Sequence, residues 1–298
     1  MNTNPAATLT LPPRATGDEG PYGVAHHRHS VNVETRHEAD RERMMTTTTS
    51  PVIVGIDGSD AAVNAAVWAV DEALARGVPL QLLYATKPKH LGADDYDADI
   101  HRGREALQSA CAAIEAAGKA VDVQTDLVDG PAAVALVERS AQAELICVGT
   151  VGIDRYARSI LGSTATEIAE KAQCPVAVIR PQDDEADQDI DWIVVTLDGR
   201  PEHHVVVERA MQEAELRHAP VLALGDDQVT TWQQRYPGVN VYPIADEDDI
   251  AHFLRKHDER VQLAVIGSDG TDELAQIVGP HGHPVFRHAH SSALVVRS

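Results

Sequence analysis

Short apolar runs alternate with amphipathic helical stretches along this chain, which predicts an α/β fold, and the alternation restarts past the midpoint, which predicts two copies of it. Most of the strand candidates are continuous apolar runs, as expected of strands covered by helices on both faces. The length of 298 residues suits two units of roughly 150 each. The expected architecture is therefore two doubly wound, open, parallel five-stranded sheets.

In the first copy, Val52 to Ile56 forms an apolar strand. Val63, Val67, Val70 and Leu74 then recur at spacings of four, three and four, one face of a helix. Leu80 to Ala85 is a second buried strand, followed by an acidic loop at Asp94, Asp95, Asp97 and Asp99 and an Ala-rich helix near Glu105 to Ala117. Val121 to Val128 alternates apolar and polar residues like an edge strand, whereas Leu145 to Val148 is wholly apolar and so interior. A helix from about Ala132 to Ala141 joins them. A short helix after Ser163 and a strand from Pro175 to Ile179 complete the unit. Ligands of such folds bind beyond the carboxyl ends of the strands, where strand order reverses.

Pro181 to Asp191 holds six acids and no apolar run, the composition of a solvated linker. The expected division is a first domain at 51–181, a linker at 182–191 and a second domain at 192–298. In the second, Ile193 to Leu197 ends in Asp198-Gly199 as the first strand ends in Asp57-Gly58, and Leu263 to Ile266 ends in Gly267 as Leu145 to Val148 ends in Gly149. Asp57 and Gly149 are 92 positions apart but Asp198 and Gly267 only 69, so the second copy lacks 23 residues, assigned to the acidic loop and much of the second helix. Residues 1–50 are rich in Thr, Pro, Gly, His and Arg without periodicity and are expected to be disordered. They read either as a true tail or as sequence upstream of a translation start at Met44 or Met45.

Lys and Arg total 25 against 46 for Asp and Glu, a net charge of −21 that repels phosphate backbones, so no nucleic-acid partner is expected. No stretch approaches the roughly 20 apolar residues of a membrane helix, and the N-terminus lacks a secretory apolar segment, so a cytoplasmic protein without a membrane partner is expected. Cys111, Cys147 and Cys174 show no CxxC spacing, which argues against a disulfide framework or zinc site; Cys147, in an apolar strand, reads as core. Trp192 and Trp232 read as packing residues. Of the histidine clusters, His26, His27, His29 and His37 lie in the unstructured extension, and His288 and His290 align with Lys171 and Gln173 at a helix end, where His suits the dipole; with His281 and His283 they are expected not to bind metal.

The fourth strand runs into Gly149-Thr150-Val151-Gly152, and nine residues later comes Gly162-Ser163-Thr164, a G-x2-G-x9-G-S pattern. Glycines leave backbone N–H groups unshielded by Cβ atoms, and a helix start at Ser163 and Thr164 presents free N–H groups and a positive dipole end. Both suit a polyphosphate. Asp57, closing the first strand, suits a ribose or a metal; Gly55 would let a ligand approach the backbone; Ala85 could offer its main chain to a base. Bland readings stand beside these: Thr164-Ala165-Thr166-Glu167 has the form of a capping box, and Asp57-Gly58-Ser59 that of a helix start.

Val54-Gly55-Ile56-Asp57-Gly58-Ser59, the glycine pattern at 149–163 and Cys174-Pro175-Val176-Ala177-Val178 together resemble the universal stress protein family in its tandem form, from about residue 51 onward. The resemblance implies an adenine nucleotide alpha hydrolase-like sheet ordered 3-2-1-4-5, ATP as ligand, with magnesium where a metal accompanies it, and pairing through the fifth strands. That pairing could join two chains as a homodimer, or the two copies within one chain, Val176 to Ile179 against Ala293 to Val296. It further implies that Asp57 holds the ribose, Ala85 faces adenine, and Gly149, Thr150, Gly152, Arg155, Gly162, Ser163 and Thr164 surround the phosphates. Val151 and Ile153 depart from the family's usual basic or polar residue and glycine, so weaker phosphate affinity is expected.

In the second copy, the shift that pairs Arg297 with Arg180 pairs Gly279 with Gly162 and Pro280 with Ser163. Proline has neither hydroxyl nor N–H, so this copy is expected to bind ATP poorly or not at all. The leading expectation is a nonenzymatic, ATP-binding regulator of a stress or dormancy response, acting on a protein partner the sequence does not identify. The alternatives are a slow ATPase, which the absence of a G-x4-G-K-[ST] loop and of a lysine in the glycine loop disfavours, and a nucleotide-free scaffold.

Overall fold

The computed structural model describes residues 49–86, 93–150, 161–180, 191–225, 228–245, 249–257, 260–279 and 291–297. Residues 1–48 of the N-terminal extension, 182–190 of the expected linker, Pro280 and the histidines at 281–290 lie outside these residues.

The first half runs β1 (Val52–Ile56), α1 (Asp60–Arg76), β2 (Leu80–Thr86), α2 (Ala93–Ala116), β3 (Val123–Asp129), α3 (Ala132–Ser140), β4 (Leu145–Gly149), α4 (Ser163–Lys171) and β5 (Val176–Ile179). Its strands pair in the order β3-β2-β1-β4-β5, all parallel. The chain thus crosses from the first strand outward on one side and then on the other, which puts α1 and α2 on one face of the sheet and α3 and α4 on the other. The alternating strand is indeed at the edge and the apolar ones are interior.

Two local expectations are corrected. The valine stripe does not form the buried face of α1: Ala61, Ala62, Ala65, Ala66, Ala69 and Ala73 do, with Val70, while Leu74 is 42% exposed. Small side chains let the helix lie close against the sheet, and hydrophobic size alone does not report that closeness. The acidic loop is instead the start of α2, a 24-residue helix beginning at Ala93. Carboxylates in the first turns are favoured by the helix dipole, so charge density there does not argue for a loop. Asp99 is buried, accepting from Arg102 Nη2 at 2.9 Å and from the Tyr84 hydroxyl at 3.4 Å.

The second half runs β6 (Trp192–Thr196), a 3-10 turn (Pro201–His203), α5 (His204–Arg217), β7 (Val221–Leu224), α6 (Val229–Arg235), β8 (Val241–Ile244), α7 (Ile250–Lys256), β9 (Val261–Gly267), a second 3-10 segment (Ser268–Glu273), α8 (Leu274–Ile277) and β10 (Ser292–Val296). Its order, β8-β7-β6-β9-β10, repeats that of the first half. The seven-residue α6 stands where α2 has 24 residues, which locates much of the shortening.

The two sheets are not separate. β5 and β10 pair antiparallel, with Val178 opposite Ala293, Ala177 opposite Leu294 and Val176 opposite Val295, so one sheet of ten strands runs through both halves. All three pairs are fully buried. An unpaired apolar strand edge is a liability, and each fifth strand covers the other's.

Candidate functional site

In the first half β1 lies between β2 and β4, so the switch in strand order falls between β1 and β4, whose carboxyl ends lie side by side. Asp57 follows β1 and is half-buried; its Oδ1 accepts the Ser59 N–H at 2.9 Å. Ser59 caps α1, its Oγ accepting from Ala62 N at 3.2 Å, so the helix-start reading of Asp57-Gly58-Ser59 holds for this turn.

Gly149 ends β4. A Cβ there would lie 2.7 Å from the carbonyl carbon of Ala61, so the first turn of α1 can approach β4 only because this residue has no side chain. Thr150, buried, donates its N–H to Ile179 O at 3.0 Å and accepts the Gly162 N–H at 2.9 Å. Those two bonds hold Gly162 against the end of β4. From Gly162 the chain enters α4, and here the structure departs from the capping-box reading. The N-cap is Gly162 rather than Thr164, no side chain caps it, and the Thr166 hydroxyl turns to Gly162 O at 3.2 Å. The first-turn N–H groups at Ser163, exposed, and Thr164, half-buried, carry no side-chain cap.

Gly162 differs from the other glycines of the strand ends. Its φ is −63°, which any residue adopts, and among the described residues a Cβ would meet only Thr150 O, at an ordinary 3.5 Å. Gly55, by contrast, has its Cβ position filled by Leu136 Cδ1 at 3.0 Å and Val148 Cγ1 at 3.3 Å, so packing against α3 accounts for it. Ala85 lies one residue past the last β1 partner in the ladder and pairs with Val128 on its other side. Gly152 and Arg155 lie outside the described residues.

The second half carries a cleft at the corresponding strand ends, a cavity of about 300 Å³ whose lining includes Asp198, Arg200, His203, Asp249, Asp269 and Glu273. His203 bridges two carboxylates, Nδ1 to Asp198 Oδ2 at 2.8 Å and Nε2 to Asp269 Oδ2 at 3.2 Å. Arg200 pairs with Asp198. Burial opposes ionisation of Asp198, but the Arg200 N–H and guanidinium and His203 outweigh it and hold the carboxyl below its ordinary value. Burial, then the charges of Asp249 and Asp272, pushes Glu273 up. Of the residues here only Asp198 and the glycines stand out in the sequence. The arginine at Asp198-Gly199-Arg200, where the first copy has Ser59, was the available signal that this strand end had changed character.

Among the described residues no three His, Cys, Asp or Glu side chains gather as a metal site. Cys147 and Cys174 are buried, Cys111 partly so, and none is in a disulfide; burial pushes the Cys147 thiol well up.

The sequence model of the universal stress protein family matches residues 48–180. Universal stress protein Rv2624c of Mycobacterium tuberculosis (strain ATCC 25618 / H37Rv) is 54% identical over 264 residues, covering 84% of this chain and 97% of that one. This chain belongs to the universal stress protein family. Rv2028c of the same organism, another universal stress protein, is 36% identical over 265 residues, covering 82% of this chain and 95% of its own. The crystal structure of a universal stress protein from Archaeoglobus fulgidus DSM 4304 superposes with a TM-score of 0.57 at 16% identity, over 84% of this chain and 99% of that one, which shows the shared fold. Among the described residues no helix is long and apolar enough to cross a membrane.

Proposed function

We propose that this universal stress protein binds ATP at the carboxyl ends of β1 and β4 and acts as a nonenzymatic regulator in a stress or dormancy response, with one competent site per chain. Gly162 carries the proposal. Its backbone angles do not require glycine and no described neighbour fills the space a side chain would take there, which leaves the main chain open to the approach of a ligand. It stands at the uncapped start of α4, where N–H groups and the dipole favour an anion. Gly149, Thr150, Ser163 and Thr164, with Gly152 and Arg155 of the same sequence pattern, would surround the phosphates. Asp57, across the β1–β4 boundary, would take the ribose and supply the protein oxygen for a magnesium ion accompanying the nucleotide, and Ala85 would face the base.

The second cleft supports the limit of one site. Four acids line it, its Asp198 is engaged by Arg200 and His203, and Pro280 occupies the sequence position of Ser163. A triphosphate entering it would meet carboxylates where it needs donors. Heat denaturation of the purified protein and analysis of the released nucleotide tests the proposal. Released ATP supports it; ADP with measurable turnover favours a slow ATPase; no nucleotide, and no uptake on titration, leaves a scaffold.

A further inference from the structure

The shift of 141 positions that matches Asp57 with Asp198 also superimposes α1 on α5 residue by residue. Their C-caps correspond, Gly77 and His218, both left-handed with φ of 63° and 52°. Glu72 matches Glu213, Arg76 matches Arg217, and Trp68 matches Arg209.

These six side chains meet where the two helices face each other. Glu72 is completely buried and accepts from Arg76 at 2.8 Å, Arg209 at 3.0 Å and Arg217. Glu213, also buried, accepts from Arg209 at 2.8 Å and Arg217 at 3.0 Å. Arg217 lies 4.1 Å over the Trp68 ring. The joint is thus nearly self-complementary, and a single matched pair, Trp68 and Arg209, breaks the equivalence.

We infer that this pair makes the joint heterotypic: the α5 face of the second half fits a first-half α1 face and rejects a second copy of itself. Within the chain, two carboxyls serve three guanidiniums, and one guanidinium has an indole to lie on. Two α5 faces together would set four guanidiniums on two carboxyls with no indole. No acceptor is spare, since the Arg209 Nε is already buried without a hydrogen-bond partner. Uncompensated buried charge is strongly destabilising. Two α1 faces would instead balance two guanidiniums against two carboxyls, with two indoles as stacking surfaces. The first half therefore accepts either kind of face, the second only the first. A sheet built from this chain, closed within one molecule or by exchange between two, always pairs a first half with a second.

Three full-length variants test this. Trp68→Arg gives α1 the same three side chains as α5 and recreates the rejected pairing inside the chain; it should lower Tm by about 5 °C or more. Arg209→Trp recreates the balanced pairing and should leave Tm within about 2 °C. The exchange variant Trp68→Arg/Arg209→Trp carries the native set of groups with the halves reversed and should regain at least half of the loss. An exchange variant no more stable than Trp68→Arg, or Trp68→Arg as stable as wild type, overturns the inference. Should Trp68→Arg fail to accumulate in folded form, recovery or failure of the exchange variant decides in the same way.

Discussion

At Gly149 a Cβ would strike the backbone of Ala61 at 2.7 Å, whereas at Gly162 it would find room. The two glycines belong to one sequence pattern, yet packing accounts for the first, while among the described residues none crowds the second. Gly149→Ala should therefore destabilise by about 1–3 kcal/mol as an overpacked site. Gly162→Val should cost only about 1 kcal/mol in the absence of nucleotide, the loss of a tolerated N-cap residue. Comparing the two melting curves checks both. The pattern itself was legible in the sequence because spacing survives in one dimension. Which glycine answered to which constraint was not, because Ala61 reaches Gly149 only through the fold. Gly55 shows the same limit: its packing against Leu136 and Val148 is visible only in three dimensions.

Among the elements, strands were the most readable, since uninterrupted apolar runs such as Leu145 to Val148 have no surface alternative. Helix faces were less so. Of the stripe Val63, Val67, Val70 and Leu74 only Val70 is buried, because alanines are what a close approach to the sheet mostly admits. Ala69→Leu, at a fully buried position of α1, should cost about 1–3 kcal/mol through overpacking, while Leu74→Ala, 42% exposed, should stay within about 0.5 kcal/mol of wild type. Equal losses for the two in denaturant unfolding would contradict this assignment of the face. The start of α2 is hidden in the sequence for an electrostatic reason: the run Asp94, Asp95, Asp97 and Asp99 looks like a solvated loop, yet acids in a first turn, here Asp94 and Asp95, suit the helix dipole, and Asp99 further on is enclosed by Tyr84 and Arg102.

In the molecule as a whole, the repeat was legible from Asp57-Gly58 and Asp198-Gly199, and so was the apolar character of both fifth strands. The ion cluster joining α1 to α5 was not, because nothing in the sequence tells the buried Glu72 and Glu213 from the exposed Asp60 and Glu215 of the same helices. Burial and the neighbouring Glu72 carboxylate push Glu213 up to about 8, against the pull of the arginines. The unfolded chain holds this proton only to its ordinary value of 4.5, so folding takes up a proton between those limits. The stabilisation is complete below the lower limit and is lost as pH rises through the upper one. Tm should fall between neutral pH and pH of about 9, and Glu213→Gln should flatten that slope; an unchanged slope in the variant contradicts it.

On the proposed function, the first half alone would grip a triphosphate with exposed main-chain amides and the start of α4. Calorimetric titration of ATP into the full-length protein, cleared of any bound nucleotide, and into Gly162→Val at matched fold stability, tests it most directly. One ATP should bind per wild-type chain, with at least a tenfold loss of affinity, about 1.4 kcal/mol, in the variant. Two equivalent sites per chain, or undiminished binding by Gly162→Val, would contradict it.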